Sequence, residues 1–94
     1  MFVNTAFVTP NPGKEEEILE IMHNFAKTLQ GSQGLLRVHV LKEKDGKVLV
    51  GISMWESEGA FDLAMAAISS TPSSASKTRA MQETPTVVRK LVEV

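Results

Sequence analysis

The chain has 94 residues, a net charge of −1 and no cysteine. That balance excludes disulfides and thiol catalysis, and it lacks the basic footprint of a nucleic-acid or anionic-membrane binder. No apolar run approaches the ~20 residues of a membrane span, and the opening Met-Phe-Val-Asn-Thr lacks the basic start of a signal peptide. The expectation is one soluble cytoplasmic domain over residues 1–94, with no nucleic-acid and no membrane partner.

Residues 2–9 are β-branched and aromatic with no helical period, which predicts a first strand. Pro10-Asn11-Pro12-Gly13 stops it, because proline cannot extend a ladder. Lys14–Gln30 then reads as a helix. Ile18, Met22, Phe25 and Leu29 recur at i, i+4, i+7 and i+11, with Ile21 and Ala26 widening the stripe. Glu15, Glu16 and Glu17 favour its N-terminus and Lys27 its C-terminal end. Gly31 and Gly34 close it.

Leu35–Glu43 and Lys47–Trp55 are predicted as two strands joined through Asp45-Gly46, a hairpin signal that requires antiparallel pairing. The second of these strands is apolar on both faces. Val48, Val50, Ile52 and Met54 share one side, and Leu49, Gly51, Ser53 and Trp55 the other. Ser57 is a good N-cap for a helix running to Ile68, whose inner face is Phe61, Ala64, Met65 and Ile68. Ser69–Lys77 is rich in Ser and Thr, lacks apolar anchors, and is expected to be a mobile loop that gates a pocket. A helical turn is expected within residues 77–83. Thr86–Val94 supplies a fourth strand. The order β-α-β, β-α-β is that of a ferredoxin-like α+β fold, a four-stranded antiparallel sheet with both helices on one face. Such helices leave Leu49 and Trp55, or their strand neighbours of the opposite face, without a cover inside one chain. A second copy is the expected cover.

Three stretches carry a family resemblance. They are Asn-Pro-Gly-Lys-Glu-Glu-Glu-Ile before the first helix, Gly-Leu-Leu at the second strand, and Met-Trp-Glu-Ser-Glu-Gly-Ala-Phe after the third. The chain resembles the antibiotic biosynthesis monooxygenase domain family. That resemblance implies a dimeric α/β barrel, formed by two sheets packed through their helix-free faces, with a small pocket in each subunit between sheet and helices. It also implies cofactor-free oxygenation of aromatic or quinol-type molecules, or haem degradation. Asn4 matches the first-strand asparagine of the haem-degrading branch. Ala64 stands where that branch has a tryptophan on the second helix, and Ser73 and Ser74 stand where its haem-ligating histidine falls. The chain also lacks the tyrosine that aromatic-polyketide oxygenases place in their pocket. Weak or no haem binding is therefore expected.

Asn4 and His39 are the candidate catalytic residues, and Trp55, Met22, Phe25 and Met65 the candidate substrate-binding ones. Each has a plainer reading. Asn4, an amide in an apolar strand, could orient a substrate oxygen or bond to a neighbouring loop. His39 shares a strand face with Arg37 and Leu41, where a lone histidine is as well suited to an interface as to proton transfer. His23 falls off the apolar stripe and reads as solvated. Trp55 suits packing at the strand end, and its indole N–H needs a partner if buried. Met22, Met54, Met65 and Met81 could line an adaptable pocket or fill core. No metal-ligand cluster is spaced for binding, so no metal and no cofactor are expected. The expected function is a cofactor-independent monooxygenase acting on a small hydrophobic molecule. The alternatives are a ligand-binding or structural dimer on the same scaffold, and a haem protein with altered ligation.

Overall fold

The computed structural model describes residues 1–68 and 75–94, with the backbone alone for 75–77. Its elements in chain order are β1 (Phe2–Val8), α1 (Glu15–Leu29), β2 (Leu35–Lys42), β3 (Leu49–Trp55), α2 (Glu58–Ile68), α3 (Ala75–Ala80) and β4 (Val87–Val92). The strands form one antiparallel sheet in the order β2-β3-β1-β4. This is the ferredoxin-like α+β arrangement. Within one chain the sheet is open and ends on β2 and β4.

The strand boundaries follow local chemistry. β2 and β3 pair from Lys42↔Leu49 back to Leu35↔Trp55, with a bulge between Leu35 and Arg37. Asp45-Gly46 lies in the connection between them, and the Glu43 N–H donates to Val48 O across its base at 2.9 Å. Ser57 caps α2, its Oγ accepting from the Ala60 N–H at 3.2 Å, which satisfies one of the free donors of the first turn. Gly34 is needed for two reasons. Its φ is +86°, and a Cβ there would stand 2.6 Å from that of Ala60. The Glu56 N–H donates to Gly34 O at 2.8 Å, so the chain before β2 is clamped against the entrance to α2.

Which face of β3 the helices cover is now resolved. Leu49 and Trp55 are fully buried beneath them. Val50, Ile52 and Met54 alternate to the helix-free face. Register brings Val3, Thr5 and Phe7 of β1 onto that open face, together with Arg37, His39 and Leu41 of β2 and Val87, Arg89 and Leu91 of β4. Much of its apolar surface is bare, including Phe7, Leu41, Val87 and Leu91.

The core beneath the helices is split into two clusters. Phe2, Leu29, Trp55 and Phe61 form one, with Ala64, Met65 and Ile68 packed against it. Val8, Ile18, Leu49 and Met81 form the other, with Leu19, Ile21 and Met22 alongside. α1 therefore anchors at both ends, through Ile18 and Leu29. Met81 is a core residue. The chain after α3 is pinned to the end of β1 by Asn11 N–H to Met81 O (2.7 Å) and Glu83 N–H to Thr9 O (2.9 Å).

The Ser69–Lys77 segment, read as a gating loop, ends within a helix, since residues 75–77 open α3. Its remainder, including Ser73 and Ser74, lies outside the described residues. Among the described residues no helix is long and apolar enough to cross a membrane.

Candidate functional site

Antiparallel register lines side chains up in transverse rows on each face of the sheet. On the helix-covered face the outer rows of β1 and β3 are large, Phe2 with Trp55 and Val8 with Leu49. The two rows between them are small, Asn4 with Ser53 and Ala6 with Gly51. α1 rests on the large rows at its two ends and cannot descend onto the small ones. A cavity of about 220 Å³ is left there.

Asn4, Ala6, Gly51 and Ser53 form part of its floor, Val38 and Val40 one side, and Met22, Phe25 and Ala26 its roof. Phe25 is 44% exposed although it belongs to the apolar stripe of α1, because the space beneath it is not filled by protein. A Cβ at Gly51 would stand 3.4 Å from Met22 Cε, an ordinary contact, so it is larger side chains at this position that would fill the cavity.

The cavity is apolar apart from its Asn4–Ser53 row. Asn4 Oδ1 is buried and meets no hydrogen-bond partner among the described residues. A sealed acceptor without a donor costs on the order of 1–3 kcal/mol, and such a group in a native core calls for an explanation. Trp55 Nε1 is likewise buried and has no partner among the described residues. Its ring meets Phe61 edge-on at 5.8 Å, and Phe61 meets Phe2 at 5.2 Å.

The polar row continues onto β4. Asn4 is paired with Ser53 on one side and with Lys90 on the other, so Ser53, Asn4 and Lys90 stand side by side on the helix side of the sheet, with Lys90 exposed at its edge. The Lys90 ammonium lies 5.6 Å from the centroid of Phe61, which confirms that Lys90 points to the covered face. Strand alternation places one other ionisable strand residue there, Lys42 at the far end, held by Glu15 at 2.9 Å.

Of the candidate residues, Asn4, Met22 and Phe25 come together in the cavity wall. Trp55 and Met65 lie outside that wall, in the aromatic cluster at one end. His39 borders the cavity only through the sheet. Its strand position, opposite Ile52, turns its side chain to the open face. His23 is exposed. Ala64, in the position compared with a haem-branch tryptophan, packs against the aromatic cluster. Sequence reasoning passed over Ser53, Ala6, Gly51 and Lys90. A trace of each was present: small residues recur at alternate positions between Leu49 and Trp55, and two adjacent cations interrupt Val-Val-Arg-Lys-Leu-Val. Among the described residues, no group of three or more His, Cys, Asp or Glu could hold a metal ion.

This architecture recurs in solved structures. A cofactor-independent oxygenase from Streptomyces nogalater, SnoaB, superposes with a TM-score of 0.80 at 20% identity, covering 98% of this chain and 91% of its own. The monooxygenase ActVA-Orf6 of Streptomyces coelicolor, in complex with nanaomycin D, gives 0.79 at 16% identity, covering 99% and 87%. An antibiotic biosynthesis monooxygenase fold from Deinococcus radiodurans gives 0.84 at 10% identity, covering 100% and 93%. At such identities the likeness is one of fold. No curated protein matches the chain. The sequence itself matches the model of the antibiotic biosynthesis monooxygenase family over residues 1–67, a span that holds β1, α1, β2, β3, nearly all of α2 and every residue lining the cavity. The chain belongs to the antibiotic biosynthesis monooxygenase family.

Proposed function

We propose that the protein is a cofactor-independent monooxygenase that takes a small aromatic, quinol-type molecule into the cavity under α1. One observation carries the reading: an apolar cavity of about 220 Å³ has Asn4 in its wall, and the Oδ1 of that amide is buried with no hydrogen-bond partner among the described residues. A cavity of about 150 Å³ is large enough for benzene, so the space suits one or two fused rings. Once the Asn4 amide turns its oxygen into the cavity, a ligand hydroxyl donating to it would end the mismatch, and the remaining surface would meet Met22, Phe25 and Val40. Asn4 then acts as the orienting group, with Met22 and Phe25 as the roof over the rings.

The chemistry asked of such a site is modest. A quinol or phenol that ionises to its anion can itself pass electrons to oxygen. In the overall step an activated ring CH2 becomes C=O, one atom of O2 enters the product, and the other leaves as water. The protein binds, orients the reacting carbon and keeps out solvent. The folds of SnoaB and ActVA-Orf6, an oxygenase and a monooxygenase, support this reading. The test is oxygen uptake with a panel of hydroquinones, anthrones and naphthols. Uptake that follows substrate and falls in Asn4→Ala supports it. Binding without turnover across the panel would replace it with the ligand-binding alternative.

The working unit in this reading is a homodimer closed through the open sheet face. Phe7, Leu41, Val87 and Leu91 are 37–51% exposed there, and two such faces packed together would complete the barrel that the family resemblance implies. His39 would lie in that interface with Arg37 and Arg89, where it has no route to the cavity contents. Sedimentation giving a ~10 kDa species at micromolar concentration would refute the dimer.

A further inference from the structure

We propose that the cavity is completed in trans: in the homodimer, β4 of the second copy lies along β2, and the partner's Val88 and the partner's Val92 close the flank of the cavity between α1 and β2. The proposal rests on the dimeric cavity reading above and adds residues of the second copy to its site. Three observations carry it.

First, β4 is apolar on both of its sides. Val87 and Leu91 belong to the open face, where the stacking of two sheets covers them. Val88 and Val92 alternate to the helix side, yet they are 49% and 66% exposed. The helices of their own chain leave them bare, and so does stacking through the helix-free faces. A further cover is needed for an edge strand that is apolar on both sides.

Second, the cavity lacks a cover of the same kind. Its wall is drawn from α1, β1, β2 and β3, and no residue of β4 lines it. Val38 and Val40 form its side on β2, which is an edge strand. Phe25, in the roof, is 44% exposed. β3 and β1 lie between β2 and β4 in the sheet, so Val88 and Val92 cannot reach this flank within their own chain.

Third, the two edges fit one another. Successive antiparallel pairings make β2 and β4 run in opposite directions. A two-fold axis along the strands, stacking the open faces, brings each β4 beside the β2 of the other copy. The pair is antiparallel, and symmetry forms it twice. Among the described residues no strand pairs with the outer edge of β2 or of β4, and here those free N–H and C=O groups meet. β2 pairs regularly from Arg37 to Lys42, its bulge lying at the Leu35 end. Alternation then keeps the helix-side residues of both strands on one side. The partner's Val88 and the partner's Val92 come against Val38, Val40 and Phe25, and they keep water from the flank.

The plainer role, in which these valines only strengthen the dimer, leaves each cavity complete within its own chain. A 1-naphthol fluorescence titration separates the two. The double variant Val88→Ser, Val92→Ser is expected to bind at least tenfold more weakly than wild type, with its fold checked by circular dichroism. It is then exchanged in equal amounts with a chain whose cavity is blocked by Gly51→Val. In a mixed dimer the open cavity of the serine chain meets the intact β4 of the blocked chain. Random exchange of a two-fold dimer should therefore restore tight binding to about a quarter of all sites. Serine variants that bind as tightly as wild type would overturn the proposal. So would weakened binding that exchange does not restore, since the valines would then act within their own chain. A wild type that binds no 1-naphthol would refute the cavity reading and the trans wall with it, whereas tight binding untouched by the serines would refute the wall alone.

Discussion

Replacing Asn4 by leucine keeps the branching of the side chain and removes its polarity. In the folded protein Asn4 Oδ1 is buried without a donor among the described residues, whereas in the unfolded chain water satisfies it. The native state therefore carries a desolvation cost of about 1–3 kcal/mol. Leucine abolishes that cost and adds apolar contact beside Ala6 and Phe2. The variant is expected to be about 1–2 kcal/mol more stable than wild type, which for a domain of this size raises the melting temperature by roughly 4–8 °C per kcal/mol. Binding should move the other way. A ligand hydroxyl that loses its acceptor binds about tenfold more weakly, or ~1.4 kcal/mol. Opposite signs for stability and affinity mark a residue kept for function against the interest of the fold. Melts followed by circular dichroism at one fixed protein concentration, since a dimer links the two, and a 1-naphthol fluorescence titration provide both readings. An Asn4→Leu variant destabilised by more than ~1 kcal/mol, or one with unchanged affinity, would refute the reasoning. Either result would mean that the amide is already satisfied in solution.

Other consequences are equally open to measurement. Ile52→Asp places a charge at the centre of the open face, and sedimentation should give a folded monomer; a variant still dimeric at micromolar concentration would remove that face from the interface. Gly51→Val adds side-chain atoms against Met22 Cε, which a Cβ alone approaches to 3.4 Å, so 1-naphthol affinity should fall at least tenfold while the far-ultraviolet spectrum is kept. Undiminished binding would put the ligand elsewhere. Leu49→Ala empties a fully buried position between Val8, Ile18 and Met81 and is expected to cost about 2–5 kcal/mol; a loss below ~1 kcal/mol in urea titration would contradict that packing. Ser57→Ala removes the cap of α2 and should cost about 1 kcal/mol, read from the same titration.

Much of the architecture was legible along the chain, because local signals act over a few residues. The stripe Ile18, Met22, Phe25, Leu29 specified α1, Asp45-Gly46 the antiparallel pairing of β2 with β3, and Ser57 the start of α2. The alternation of β3 also revealed that both of its faces are apolar. It could not reveal which face the helices take. Leu49 and Trp55 are no more hydrophobic a set than Val50, Ile52 and Met54, and the choice is made by the path of the chain between strands, which only the assembled sheet fixes. The cavity was hidden for a related reason. It exists because Asn4 with Ser53 and Ala6 with Gly51 share transverse rows between larger pairs, and those partners lie more than forty residues apart in sequence. Lys90 beside Asn4 spans nearly the whole chain. Periodicity determines what each strand presents to its two sides; register alone decides which side chains become neighbours, and the site is made of neighbours.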